Sequence, residues 1–186
     1  MAGSSCLALC ARAFFWPVKI FEVHEGVDNS MKIYKFGGSS LGSAANIRKA
    51  VEIIAAGLSE DRLVVVVSAF HRVTDLLLDA ALSASSGRES YPKSLDDIRH
   101  LYETMLYELF LSEGEGLVGE SIRGDFAELR DLVHGVFLLR ELSEKSMALL
   151  LSFGERLSAR VVAGYLVSEG VPAEYIDSAK DRKSVV

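Results

Sequence analysis

The segment of the chain that is best suited to chemistry is a short apolar strand that runs into a lysine, two glycines and two serines. Glycines let backbone N–H groups approach an anion, because no Cβ atom stands in the way. A helix that begins soon after such a loop adds free N–H donors and a positive partial charge. A lysine beside the loop can neutralise the oxygens of a transferring phosphate group. We therefore predict phosphate binding by the segment Lys35-Phe36-Gly37-Gly38-Ser39-Ser40.

This segment matches neither the G-x4-G-K-[ST] phosphate loop nor the G-x-G-x-x-G dinucleotide fingerprint. Two adjacent glycines after a strand also occur in ordinary tight turns. Here the lysine, the glycines and the start of a helix occur together, in the order that a phosphate site needs. This favours a phosphate site over a simple turn.

Two further segments combine polar side chains with a break in regular structure. Ser68 and Thr74 flank the loop after a β-branched strand, and Thr74 is expected to cap the next helix. Gly154 interrupts a strongly helical run, where glycine costs about 1 kcal/mol relative to alanine, so a close approach is expected there. Glu155 beside it would bind a substrate ammonium group or, equally, lie exposed in a turn between two helices.

The remaining reactive residue types form no catalytic or metal-binding pattern. The four histidines show no metal-ligand spacing, and only His71, at the expected edge of the sheet, is a weak candidate for the site. Cys6 and Cys10 have no further cysteine or histidine nearby, so neither a metal site nor a disulfide framework is expected. The cysteine usage favours a reducing compartment, the cytoplasm.

The composition is that of an acidic globular chain of 186 residues, with 49% hydrophobic residues and a formal net charge of -6. An acidic surface argues against nonspecific binding to nucleic acid or to an anionic membrane. The apolar stretch Leu7–Phe21 is too short and too charged to span a membrane. We expect neither nucleic acid nor a membrane as a partner.

The hydrophobic pattern predicts an α/β fold, a parallel sheet with helices on both faces that is incomplete and carries a helical insert. The predicted strands are Ile33–Phe36, Leu63–Val67 and Ala173–Asp177. The predicted helices cover 44–58, with Ser43 as N-cap, then 74–84 and most of 94–170, closed by Gly170.

Taken together, the three polar segments resemble the motifs of the aspartate kinases in the amino-acid kinase family. Those enzymes carry K-F-G-G-[TS]-S, then S-A-x-x-G-V-T-[ND] after the second strand, then S-x-G-E ahead of a helix of small residues. The corresponding segments here are Lys35–Ser40, Ser68–Asp75 and Ser152–Glu155, in the same order. The long helical insert is also similar, and the resemblance covers about Met31 to Asp177.

This resemblance implies a three-layer sandwich and the ATP-dependent phosphorylation of L-aspartate to 4-phospho-L-aspartate, the first step of lysine, threonine and methionine biosynthesis. It implies ATP and Mg²⁺ as cofactors and a homo-oligomer, a dimer, for the complete enzyme. Lys35 would be catalytic, by stabilising the transferring γ-phosphate, and Lys35–Ser40 would hold the ATP phosphates. Ser68, Thr74 and Glu155 would bind aspartate, Glu155 through its ammonium group, and no residue is assigned to a metal.

The resemblance also implies the domain organisation. Residues 31–178 would be the N-terminal part of an amino-acid kinase catalytic domain, and 179–186 a truncated tail. Residues 1–30 would be an N-terminal extension outside the fold. A transit peptide is the alternative for this extension, and it would place the protein in a plastid.

Two departures from the family pattern matter. Arg72 stands where these enzymes usually have glycine, so the backbone is strained if φ is positive there. The chain also ends before the part of the family's catalytic domain that binds adenine and ribose, so we expect it to be too short to be active alone. The alternatives are a catalytically incomplete binding partner of full-length subunits, or another amino-acid kinase that acts on glutamate, N-acetylglutamate or a nucleotide.

Overall fold

The computed structural model describes residues 7–11, 31–59, 62–110 and 116–178, and its segment 31–67 is a βαβ unit. The strands are β1 (Leu7–Ala11), β2 (Met31–Phe36), β3 (Arg62–Val67) and β4 (Ala173–Ile176). The α-helices are α1 (Ala44–Leu58), α2 (Val73–Ser85), α3 (Tyr91–Phe110), α4 (Gly116–Leu139) and α5 (Glu144–Ser168). A short 3-10 turn, Gly38–Leu41, lies between β2 and α1.

The described strands form one parallel sheet in the order β2-β3-β1-β4. Phe36 and Ala11 both pair with Val67, and Cys10 pairs with Ile176, so all four strands end at one edge. We call this the carboxyl edge, and it is where parallel sheets bind ligands. The predicted α/β class and parallel sheet are confirmed.

The sheet is held to the helices by the apolar run in β3. Leu63, Val65 and Val67 are at most 2% exposed and lie in the main core, against which Tyr34 and Phe36 of β2 also pack. Residue alternation puts Ile33 on the opposite face, where 64% of its surface is exposed. The helical layer on that second face stays a prediction.

The N-terminal region differs from the sequence prediction at Leu7–Ala11. These five residues form β1 between β3 and β4, whereas an extension outside the fold is expected for residues 1–30. The segment is uncharged, so it can complete the hydrogen bonds of β3, whose second edge would otherwise have no strand partner. The rest of residues 1–30 and the predicted tail 179–186 lie outside the described residues.

Three residues are predicted to begin or end helices; the structure confirms Ser43 and Gly170 but not Thr74. Ser43 caps α1, since its Oγ accepts a hydrogen bond from Asn46 N at 3.2 Å. Gly170 follows α5 with φ +77°, the left-handed conformation expected of a closing glycine. The prediction that Thr74 caps α2 is wrong, because Arg72 is the N-cap residue and Thr74 lies in the first turn.

The region 94–170 contains α3, α4 and α5, as its helical pattern predicts. The stripe Leu95, Ile98, Met105 and Leu109 on α3 is buried in the core. Across the part of the chain that the structure describes, no helix is both long and apolar enough to cross a membrane.

Candidate functional site

Ala69, just beyond β3, is the point where the three predicted site segments meet. A Cβ atom added at Gly38 would lie 2.7 Å from the Ala69 carbonyl oxygen. A Cβ atom added at Gly154 would lie 2.7 Å from the Ala69 Cβ. Both contacts are too short for any side chain, so each position needs glycine. The glycine loop, the loop after β3 and helix α5 are thus brought together at the carboxyl edge.

A buried set of hydrogen bonds holds the same loop to α5. Ser158 Oγ accepts a hydrogen bond from Phe70 N at 3.1 Å and donates to the Gly154 carbonyl at 2.9 Å. Tyr102 Oη of α3 lies 3.0 Å from Ser158 Oγ and 3.2 Å from the same carbonyl. Ser158 and Tyr102 are fully buried. These bonds leave the loop after β3 little freedom to move away from α5.

Sequence reasoning missed Tyr102 and Ser158. Tyr102 lies in an apolar stripe of α3, and its ring stacks on Phe70 with centroids 5.0 Å apart. Ser158 follows Gly154 by four residues, which places both on one face of α5. This four-residue spacing was the available signal, although the sequence does not reveal the partner N–H 88 residues away.

Glu155 lies in the middle of α5, so the alternative of a turn between two helices is wrong. Its side chain is partly buried, and desolvation raises its pKa above the ordinary value. Desolvation by burial is the main cause of the raised pKa of Tyr102, and the negative charge of Glu155 raises this pKa further. No cation among the described residues neutralises Glu155, so its ionised form would be stabilised by a positively charged ligand.

The glycine loop is joined to the loop after β3 at its first residue. Ser68 N donates a hydrogen bond to the Phe36 carbonyl at 3.0 Å, so Ser68 lies beside the loop. Ser40 N donates to the Gly37 carbonyl at 3.0 Å, which closes the 3-10 turn and engages that amide. Lys35, at the end of β2, is exposed to solvent.

The structure also gives the position of the other predicted site residues. Ser39 and Ser40 are exposed on the 3-10 turn, and the Ser39 carbonyl accepts a hydrogen bond from Asn46 Nδ2 at 3.1 Å. Thr74 is exposed in the first turn of α2. The contacts of Gly38 and Gly154 with Ala69, and that of Ser68 with Phe36, do not involve the Thr74 side chain.

Arg72 adopts φ +69°, so the strain predicted for a residue at this position is confirmed. Glycine accepts this left-handed conformation without the clash of a Cβ atom, whereas other residues rarely do. Arg72 is exposed, and its neighbour His71 lies near the glycine loop, with its Cβ 3.7 Å from a Cβ added at Gly42. Arg72 and Lys35 are thus two exposed cations in the segments that meet at Ala69.

Comparison with known proteins gives a family match over most of the chain. A profile described as the amino acid kinase family matches residues 30–185. Aspartokinase 1, chloroplastic, of Arabidopsis thaliana is 32% identical over 149 residues, which cover 78% of this chain and 25% of that protein. A bifunctional aspartokinase/homoserine dehydrogenase 1, chloroplastic, of Zea mays is 25% identical over 146 residues, 78% of this chain and 16% of that protein. The chain thus spans about a quarter or less of these relatives.

Solved structures show the same fold. E. coli aspartokinase III in complex with aspartate and ADP superposes with a TM-score of 0.67 at 24% identity, over 78% of this chain and 30% of that one. The same enzyme in complex with lysine and aspartate gives a TM-score of 0.62 at 25% identity, over 75% and 29% of the two chains.

The contact at Gly154 predicts a clear effect on stability. We expect Gly154→Ala to lower the free energy of unfolding by about 1–2 kcal/mol, because crowding against Ala69 outweighs the gain in helix propensity. Urea denaturation followed by circular dichroism measures the change. Gly124→Ala is the matched control, since that helical position is open and the variant should gain up to about 1 kcal/mol. Equal effects at both positions would contradict the proposed crowding.

The backbone at Arg72 predicts the opposite effect. We expect Arg72→Gly to raise the free energy of unfolding by about 1 kcal/mol, because the left-handed conformation no longer carries a Cβ atom. Arg72→Ala removes the same charge but keeps the Cβ, so no such rise is expected. Thermal and urea unfolding of both variants measure the free energy of unfolding. An equal rise in Arg72→Ala would show that the effect comes from loss of the charged side chain and not from relief of backbone strain.

Proposed function

Since this chain belongs to the amino acid kinase family, we propose that it acts in an aspartate kinase, a transferase that phosphorylates the side-chain carboxylate of L-aspartate with ATP. The product would be 4-phospho-L-aspartate, which enters lysine, threonine and methionine biosynthesis. The observation that carries the proposal is the contact of Gly38 and Gly154 with Ala69, since it gathers all three motif segments at one edge. The aspartokinases among the relatives support the choice of substrate.

In this proposal the glycine loop binds the phosphates of ATP. Gly38 packs against the Ala69 carbonyl, whereas a Cβ atom added at Gly37 would meet nothing within 4 Å, so the loop offers bare backbone to a phosphate group at Gly37. Lys35 stabilises the charge on the transferring γ-phosphate, and the exposed hydroxyls of Ser39 and Ser40 lie within the same segment. The Ser40 amide is engaged with Gly37, so the amides offered to phosphate are those earlier in the loop.

The opposite end of the site suits the amino acid. Glu155 is a partly buried carboxylate without a cationic partner among the described residues, which favours a ligand that carries an ammonium group. Ser68, and Thr74 in the first turn of α2, would complete the aspartate site. Phosphoryl transfer needs no covalent enzyme intermediate, so positioning and charge stabilisation are the two contributions required of these residues.

Mg²⁺ accompanies ATP in this proposal. Across residues 7–11, 31–59, 62–110 and 116–178, no group of three or more histidine, cysteine or acidic side chains could hold a metal ion. A Mg²⁺ ion carried by the ATP phosphates needs only one or two carboxylates from the protein, and no described residue is assigned to it.

The cellular setting follows from the same proposal. A homo-oligomer, a dimer, is proposed for the complete enzyme. The cytoplasm is the compartment expected from the sequence, and a plastid is supported by the chloroplastic relatives.

The phosphate end of the site can be tested by binding to the 186-residue chain. We expect tripolyphosphate, a mimic of the ATP phosphates, to bind, and Lys35→Met to weaken it about tenfold, as expected for the loss of a charge-assisted contact. Isothermal titration calorimetry gives the dissociation constants. Lys49→Met is the control, since Lys49 is exposed on α1 and should leave binding unchanged. Equal affinity in the Lys35 variant would exclude this role for the lysine.

The amino-acid end is tested by the pH dependence of L-aspartate binding. Because burial raises the pKa of Glu155, its carboxylate is ionised only above that raised value. Aspartate affinity should therefore be full above this pKa and fall as the pH drops through it. In Glu155→Gln, affinity above this pKa should be about tenfold weaker and this fall should disappear.

N-acetyl-L-aspartate is the matched ligand control, since it has no ammonium group. Its affinity should be the same with Glu155 and with glutamine at that position. A chain that binds the acetylated amino acid better than aspartate would instead be assigned to another amino-acid kinase.

A further inference from the structure

A network of charged side chains, buried at Arg156 and Asp125 and open to solvent at Glu128, lies directly beside Glu155, and the proposed reaction does not use it. We call it the α5 charge network, and its members are Arg156, Arg160, Asp125, Glu128 and Asp177. Arg156 is 4% exposed and Asp125 is 5% exposed, although charged residues are rarely buried so completely.

The network is centred on the Arg156 guanidinium. Arg156 Nη2 lies 3.1 Å from Asp125 Oδ1 and 3.1 Å from Glu128 Oε2. Arg156 Nε lies 3.5 Å from Asp177 Oδ2. Arg160 Nε is 2.5 Å from the second oxygen of Asp125. The two arginines therefore share one buried carboxylate, and Arg156 reaches three.

Each of the two guanidinium groups also lies over the face of an aromatic ring. The Arg156 guanidinium carbon lies 4.3 Å from the centroid of the Phe153 ring. The Arg160 guanidinium carbon lies 4.3 Å from the centroid of the Tyr175 ring. A planar guanidinium that is both stacked and paired with carboxylates has a defined orientation, which a lysine in its place would not reproduce.

The members of the network come from three elements that meet behind the site. Asp125 and Glu128 lie on α4, the arginines lie on α5, and Asp177 follows the last residue of β4 at the carboxyl edge. Arg156 follows Glu155 directly, so its three partners fix the rotation of α5 about its axis at the turn that carries Glu155.

A need for stability does not account for this arrangement. Buried ion pairs often contribute no more to stability than apolar side chains of the same volume. Directional ion pairs add a fixed geometry, and the geometry fixed here is that of the helical turn with Gly154 and Glu155.

We propose that Arg156 is a positioning residue that, through the α5 charge network, aims the Glu155 carboxylate at the ammonium group of the amino-acid substrate. The inference rests on the proposed function, since Glu155 must bind that ammonium group. Among the described residues, none of the ion pairs of the network involves the segment 35–40, so the two ends should respond differently to its loss.

The test compares two ligands in variants of the full chain. Arg156→Met leaves Asp125 and Glu128 short of a cation, so a second variant, Arg156→Met with Asp125→Asn, lowers the unpaired charge and guards against unfolding. We expect both to bind L-aspartate about tenfold more weakly, as expected for a small misplacement of a binding group, with tripolyphosphate affinity unchanged. Arg156→Lys, which keeps the charge, should recover part of the aspartate affinity.

Arg99→Met is the matched control, because Arg99 forms an exposed ion pair with Asp96 on α3 and should change neither affinity. A parallel loss of both ligands in the Arg156 variants would show a purely structural role and overturn the inference. Unchanged aspartate binding in a folded Arg156 variant would also overturn the inference. If Glu155→Gln still weakens aspartate binding in that case, the proposed function stands. Failure of the unaltered chain to bind aspartate would overturn both.

Discussion

The close approach of two glycines to Ala69 is the constraint on which the rest of the site depends. Gly38 lies against the Ala69 carbonyl and Gly154 lies against the Ala69 Cβ, so residues more than 100 positions apart in the chain share one contact. A side chain at either glycine would push a whole segment away, because the neighbouring atoms are backbone or the Cβ itself. The hydrogen bonds of Ser158 with Phe70 and Tyr102 then hold α5 in this position.

The site that results has two ends of opposite charge. Lys35 and Arg72 are exposed near the glycine loop, whereas Glu155 is partly buried and has no cation beside it among the described residues. A ligand pair of polyanion and amino acid matches this separation, since each charged group meets its opposite.

Local signals in the sequence predicted those parts of the structure that depend on local geometry. The strand before the glycine loop and the Ser43 cap each follow from a few adjacent residues, whereas the strain at Arg72 was expected from the family resemblance, which places glycine there. Contacts between distant segments were not predictable in this way. The place of Leu7–Ala11 in the sheet depends on strand pairing with residues more than 50 positions away, and the Tyr102 hydroxyl has partners on another helix. The Thr74 prediction failed because Arg72 takes the cap position in a conformation that its side chain disfavours.

The two ends of the site also differ in how they are held, and this difference has a physical consequence. The proposed phosphate end is built from backbone of consecutive residues, closed by the hydrogen bond between Ser40 and Gly37 and anchored at Gly38 to the loop after β3. The carboxylate of Glu155 instead depends on α5, whose orientation is set by partners on α4 and after β4. A charged group on a long helix moves with every contact of that helix, whereas the glycine loop makes its contacts with β2 and the loop after β3. We therefore expect substitutions at the contacts of α5 with α4 and with the segment after β4 to alter the proposed amino-acid end more than the proposed phosphate end.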